Sequence, residues 1–202
     1  MDRAKEGLAI SEVLTHYYRP FSEPLLSLSE LSEDRRSIVL AGVAEHEPLP
    51  LRLTRPDYFE KRRWLEEAMR TRFLEKGGRP IRAHPHYFVL GEFSHWETDG
   101  SKKVQIPLSG VPEDCVSFTL TDSFFNYFPT NLRGIPVPPR GYHRELFTLD
   151  EVSAQLELHG LPTDKWRIDE RHQFEPYVET QIWSDAPVRH ILERRPTATT
   201  RK

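Results

Sequence analysis

The apolar spacing of this chain changes once, and the change governs what it can fold into. Over 56–76 the apolar residues recur at helical spacing: Tyr58, Leu65, Met69 and Phe73 share one face, Thr54 and Asp57 can cap the start, and Gly77-Gly78 ends the run. From Ala83 onward the spacing is two. Segments 86–92, 103–108 and 115–121 alternate, with Val104, Ile106 and Leu108 on one side of the second and Val116, Phe118 and Leu120 on one side of the third. A strong helix followed by a run of short strands predicts a single α+β domain, with a mainly antiparallel sheet, continuous or split, flanked by a few helices.

The remaining elements follow from local signals. An aromatic and β-branched stretch at 13–18, stopped by Arg19-Pro20, reads as a first strand. Ser27 and Glu30 form a capping-box pattern, and Leu31, Ile38 and Val39 continue it as a helix near 28–41. A second box at Thr148-Leu149-Asp150-Glu151 opens a helix that Gly160-Leu161-Pro162 closes, and 177–183 is the last strand. Pro129, Pro136, Pro138 and Pro139 make 128–141 an exposed loop. Residues 1–193 then form the domain, and 194–202 a flexible tail.

Charge and composition exclude several classes. The longest apolar runs, such as 87–90, are far short of the roughly 20 residues a membrane span needs, and Met1–Ile10 lacks the pattern of a secretory signal, so the expected location is the cytoplasm. Cys115 is the only cysteine, which excludes an intrachain disulfide and reads as a small core residue. The net charge of -3 argues against a general nucleic-acid binder. Between Arg52 and Arg82, however, ten Lys or Arg stand against five Asp or Glu, so a basic face that captures a polyanion is a second expectation.

Chemistry-bearing residues concentrate in the strands. The pleat of the last one sets Glu179 and Gln181 side by side between Tyr177 and Trp183, opposite Val178, Thr180 and Ile182. A carboxylate among rings has an altered proton affinity and can stabilise a cationic centre, as cleavage of a glycosidic bond requires. The bland alternative is a polar pair on a solvated outer face. His16 in the first strand can donate to a ribose or carboxamide, or simply pack. His84 and His86, two apart, can aim both imidazoles one way, with His16, His95 or His143 as third ligand of a metal, although the Pro85 turn explains them as well. Ser117, Thr119, Asp122 and Ser123 form a polar series, but no Gly-x-Ser-x-Gly elbow, P-loop, kinase or Rossmann signature is present.

Taken in order, these pieces resemble the ADP-ribosyltransferase fold, most nearly its DarT-type toxin branch. Leu14-Thr15-His16-Tyr17 is similar to that branch's first strand, and Pro85-His86-Tyr87-Phe88 to a later Pro-aromatic-Tyr-Phe strand. Val104–Leu108 and Ser117-Phe118-Thr119-Leu120-Thr121-Asp122 look like the segments that follow, and Glu179 through Pro187 to Ile191 is similar to the final strand with its catalytic Glu. The resemblance implies NAD as donor, held in a cleft between two halves of the sheet. Glu179 would stabilise the ribosyl cation with Gln181 as helper, His16 would hold the ribose, Tyr87 would stack on the nicotinamide, and Tyr17 and Ser117 would complete the cofactor contacts. It also implies an Arg after the first helix, for which Arg35 and Arg36 are the candidates, and no metal. The acidity of the chain weighs against DNA as acceptor and leaves protein, RNA or a small molecule open. Two other readings stand beside it: a non-catalytic binding module using the basic 52–82 region, and a His-based metal enzyme.

Overall fold

The computed structural model describes residues 12–93, 96–97, 99–129, 136, 138, 140–159 and 177–194. Five strands, β1 (Val13–Tyr18), β2 (His86–Leu90), β3 (Lys102–Pro107), β4 (Val116–Thr119) and β5 (Glu179–Ile182), form one sheet in the order β3-β1-β2-β5-β4. Every neighbouring pair is antiparallel. β2 pairs with both β1 and β5, so the ladder is continuous and the expectation of a split sheet gives way to a single one. The fold is therefore α+β, as the change of period predicts.

Register decides what each face carries. Thr15 opposes Val89, which opposes Glu179, while Tyr87 opposes Gln181 and Ser117 opposes Gln181 from the other side. One face thus collects Thr15, Tyr17, Tyr87, Val89, Ser117, Thr119, Glu179 and Gln181. The other holds Leu14, Phe88, Ile106, Val116, Phe118, Val178 and Ile182, all buried, with Val152, Leu156, Val188 and Ile191 packed among them. Those last four come from α4 (Leu149–His159), from α5 (Arg189–Leu192) and from the turn just before α5.

The polar face is covered by α2 (Tyr58–Glu75), whose Leu65, Met69 and Phe73 are buried with Trp183, Leu146 and Tyr127, the last from α3 (Ser123–Tyr127). At the end of α2, Gly77 has φ +86°, its N–H bonds Leu74 O and the Gly78 N–H bonds Phe73 O. This paired closure needs a left-handed residue. Gly78 is equally constrained, since a Cβ there would lie 2.5 Å from the Phe73 ring. Trp64, off that stripe, is 54% exposed, its ring against Tyr127 and Phe128.

One helix boundary moves for a physical reason. α1 spans Glu33–Ala44, with Ser32 as its cap, and not 28–41. Ser27 and Glu30 do not form the expected box, because Glu30 turns away to pair with Arg82 and Ser29 bonds Glu66. Residues 26–29 become part of a cavity wall instead. The box at Thr148 does form, with the Thr148 N–H donating to Glu151 and the Glu151 N–H to Thr148 Oγ1. The N-terminal segment, most of the proline-rich loop, the expected helix end at 160–162 and the tail beyond 194 lie outside the described residues.

Candidate active site

Between the polar face of the sheet, α2 and the segment after β1 lies a cavity of about 300 Å³. Its walls include Tyr17, Tyr87, Trp96, Tyr177, Arg62 and Glu179. It sits on one face of a continuous sheet, in place of the expected cleft between two sheet halves.

Glu179, from the central part of β5, is buried among neutral donors. The Ser123 N–H and Gln181 Nε2 both donate to its Oε1 at 3.2 Å. Burial raises the proton affinity of this carboxyl, the charge of Asp122 raises it further, and together they outweigh Arg62 and the two hydrogen bonds to push its pKa up to about 7. Asp122 behaves oppositely. Burial disfavours its charge as well, but Arg52, Arg62, the Phe124 N–H and the Tyr177 hydroxyl hold it below the ordinary 3.8. Two neighbouring carboxyls with affinities driven apart are a frequent mark of acid–base or charge-stabilising sites.

Gln181 and Ser117 stand behind the cavity rather than in it. Trp183 Nε1 donates to Ser117 Oγ at 2.8 Å, Ser117 Oγ donates to Gln181 Oε1 at 3.0 Å, and Gln181 Nε2 donates to Glu179. All three side chains are fully buried. The relay fixes the carboxylate, so Gln181 acts as a positioning residue, and Ser117 is out of reach of a ligand. The solvated outer face considered as an alternative for Glu179 and Gln181 is excluded by their burial.

Tyr87 meets the cavity, but one face of its ring already carries the Arg62 guanidinium, 4.1 Å from the centroid, and its hydroxyl donates to Glu66 at 3.0 Å. That face is therefore closed to the stacking expected of it, and other rings border the cavity. Tyr17 accepts the Phe93 N–H at 2.9 Å and packs edge-on to Trp96 at 5.4 Å, while Trp96 lies 5.0 Å from Tyr177. These three rings make one aromatic wall.

His16 also borders the cavity, yet its imidazole points to the reverse face of β1, against Phe88 at 5.6 Å. Nδ1 bonds the Tyr87 carbonyl at 2.8 Å, and Nε2 accepts the Leu25 N–H at 2.9 Å. The expected donation to a ribose is thereby replaced by a scaffolding role. Leu25 has φ +60°, a conformation that costs a side-chain-bearing residue about 1–2 kcal/mol, and His16 helps to hold it there. The next residues, Leu26 to Ser29, line the cavity.

The arginines that reach the site come from the basic 52–82 stretch and not from 35–36. Arg35 and Arg36 were the candidates, but Arg36 is turned to the Leu28 and Leu31 carbonyls and the Phe59 ring. Arg52 and Arg62 line the cavity instead, Arg52 paired with Asp122 at 3.2 Å and Arg62 with Glu66 at 3.0 Å. In the sequence Arg62 is part of the basic stretch, and its i,i+4 spacing from Glu66 ordinarily marks a solvated helix pair. Glu66 was missed. Its buried carboxylate accepts from Ser29 Oγ at 3.1 Å as well as from Arg62 and Tyr87, and it meets His84 Nδ1.

Half of the cations of the basic stretch are paired across the fold. Five of its cations are answered by carboxylates from other segments: Arg52 by Asp122, Arg72 by Glu145, Lys76 by Glu151, Arg79 by Asp114, and Arg82 by Glu30 and Asp185. That number equals the local excess. The two histidines proposed as ligands also separate, His84 going to Glu66 and His86 to Asp185, and among the described residues no three His, Cys, Asp or Glu side chains are grouped to hold a metal. Cys115 is buried just before β4, and burial raises its thiol, which suits a core residue. Among the described residues no helix is long and apolar enough to cross a membrane.

No family model, curated protein or solved structure matches the chain. What the site does must be argued from its own geometry.

Proposed function

We propose that the protein is an NAD-consuming enzyme of the ADP-ribosyl-transferring kind, with Glu179 as its catalytic carboxylate. The observation that carries this reading is that Glu179 lines the cavity and, among the described residues, has no ion-pair partner. The two arginines there already face Asp122 and Glu66, whereas among the described residues Glu179 is held by a backbone N–H and an amide. A negative charge so placed favours positive charge developing on a bound ligand. A ribosyl centre losing nicotinamide develops that charge: the bond from C1′ to the pyridinium nitrogen breaks, its electron pair leaves on nicotinamide, and the acceptor bonds to C1′ while losing its proton. Glu179 stabilises the electron-poor carbon, and Gln181, through the Ser117 and Trp183 relay, keeps the carboxylate from turning away. About 300 Å³ accommodates the nicotinamide-ribose end of a dinucleotide, leaving the remainder outside.

The acceptor stays open among protein, RNA and a small molecule. The test is nicotinamide release from NAD by purified protein, alone and with each acceptor class. Glu179→Gln is expected to retain the fold and lower release by about 10²–10³-fold. Release at the wild-type rate from that variant, or none from the wild type with any acceptor class, discards the reading.

A further inference from the structure

The outer side of α2 carries a second hollow, which shares no lining residue with the cavity. It encloses about 520 Å³ between the helix, Tyr127 of α3 and Arg144. On the helix, Trp64, Ala68 and Thr71 recur at spacings of four and three and so share one face, turned away from Arg62 and Glu66. Trp64 projects at one end, its ring steadied by Phe128 at 5.6 Å and Tyr127 at 6.3 Å, and the small side chains of Ala68 and Thr71 leave room beside it. Arg144 is fixed on the rim by its backbone. It has φ +65°, and its N–H meets Oδ1 and the carbonyl of the buried Asn126 at 2.7 and 3.2 Å. A side-chain-bearing residue keeps such a conformation where its surroundings impose it.

Two charges of this hollow are unanswered. Arg72 pairs with Glu75 and Glu145, but Glu67 and Arg144 are exposed and have no ion pair among the described residues. Their opposite signs decide what fits. A polyanion would meet Glu67 and Glu75, a basic segment would meet Arg72 and Arg144, and an uncharged one would leave both charges unpaired. A patch that holds a projecting ring, a hollow, an anion and a cation is complementary to itself under two-fold rotation, because each feature receives its counterpart in return. Trp, Tyr and Arg are also the residue types that dominate the energy of such contacts.

We infer that the outer face of α2 is the contact of a two-fold dimer with a second copy of this chain, in which Trp64 of each copy enters the hollow of the other and Glu67 pairs with the partner's Arg144. Arg62 and Glu66 lie on the other side of the helix, so the contact leaves the cavity uncovered and does not depend on the proposed activity.

The experiment is sedimentation equilibrium of the full chain over about 1–200 µM, the range in which a small interface associates. The wild type is expected to reach twice its monomer mass with a micromolar dissociation constant, weaker at high salt. Trp64→Ala should raise that constant about 30-fold or more. Glu67→Arg and Arg144→Glu should each raise it about tenfold, and the variant carrying both should recover the wild-type value, since the pair is re-formed with its signs exchanged. If Arg144→Glu does not fold, Arg144→Gln takes its place and should weaken association about threefold. A monomer at every concentration, a dimer indifferent to Trp64→Ala, or a double variant no tighter than the single ones overturns the inference. So does a chain that stays monomeric while its Trp64 emission, read against Trp64→Ala, shifts on addition of polyglutamate or polylysine; the face then belongs to a charged partner.

Discussion

The two faces of the sheet come from the same strands yet solve different problems. On one face Phe88, Phe118, Val178 and Ile182 meet α4 and α5 and are buried side chain against side chain. On the other, the same strands place Tyr87, Ser117, Thr119, Glu179 and Gln181 under α2, where buried polar atoms must find partners or cost about 1–3 kcal/mol each. The first face stabilises by removing apolar area from water. The second holds a carboxyl in a setting that resists its ionisation, which is a poor way to gain stability and a good way to prepare a site.

That contrast can be tested by separating stability from chemistry. Phe118→Ala, at a fully buried apolar position, is expected to cost about 3–5 kcal/mol in denaturant unfolding, with nicotinamide release per folded molecule unchanged. A proportional loss of specific activity would mean that the faces are not independent. Glu179 should behave in the opposite sense. Its pKa rises from 4.5 to about 7 on folding, so the native state binds its proton more tightly than the unfolded chain does. The resulting stabilisation is fully present below about pH 4.5 and is lost as pH rises through about 7. Glu179→Gln should flatten this part of the stability curve and leave the variant more stable than wild type above pH 7; a curve parallel to wild type would refute the buried-carboxyl account. The smallest effect is expected at the surface. Lys76→Ala removes the 2.7 Å pair with Glu151 and should change stability by at most about 1 kcal/mol, less at high salt.

The apolar face was the more legible in the sequence, because burial on a strand leaves a period of two that Val116, Phe118 and Leu120 display directly. The pleat also placed Glu179 and Gln181 together. What periodicity could not show was direction across long separations. Arg62 and Glu66 resemble an ordinary surface pair until α2 is laid on the sheet, and Ser27–Glu30 resembles a helix start until Glu30 and Ser29 find Arg82 and Glu66. His16 stands out by residue type and by its Thr-His setting, but pleat parity puts its side chain opposite Thr15 and Tyr17, and hence opposite Glu179.

The buried carboxylate of Glu66 has a bearing on how the protein comes together. It joins Ser29, 37 positions earlier, to Tyr87, 21 positions later, as well as to its own helix. Such remote closures form slowly compared with a helix turn. The pocket should therefore mature after the hydrophobic layer has condensed, and a refolding chain should recover its near-native compactness before it recovers the ability to bind.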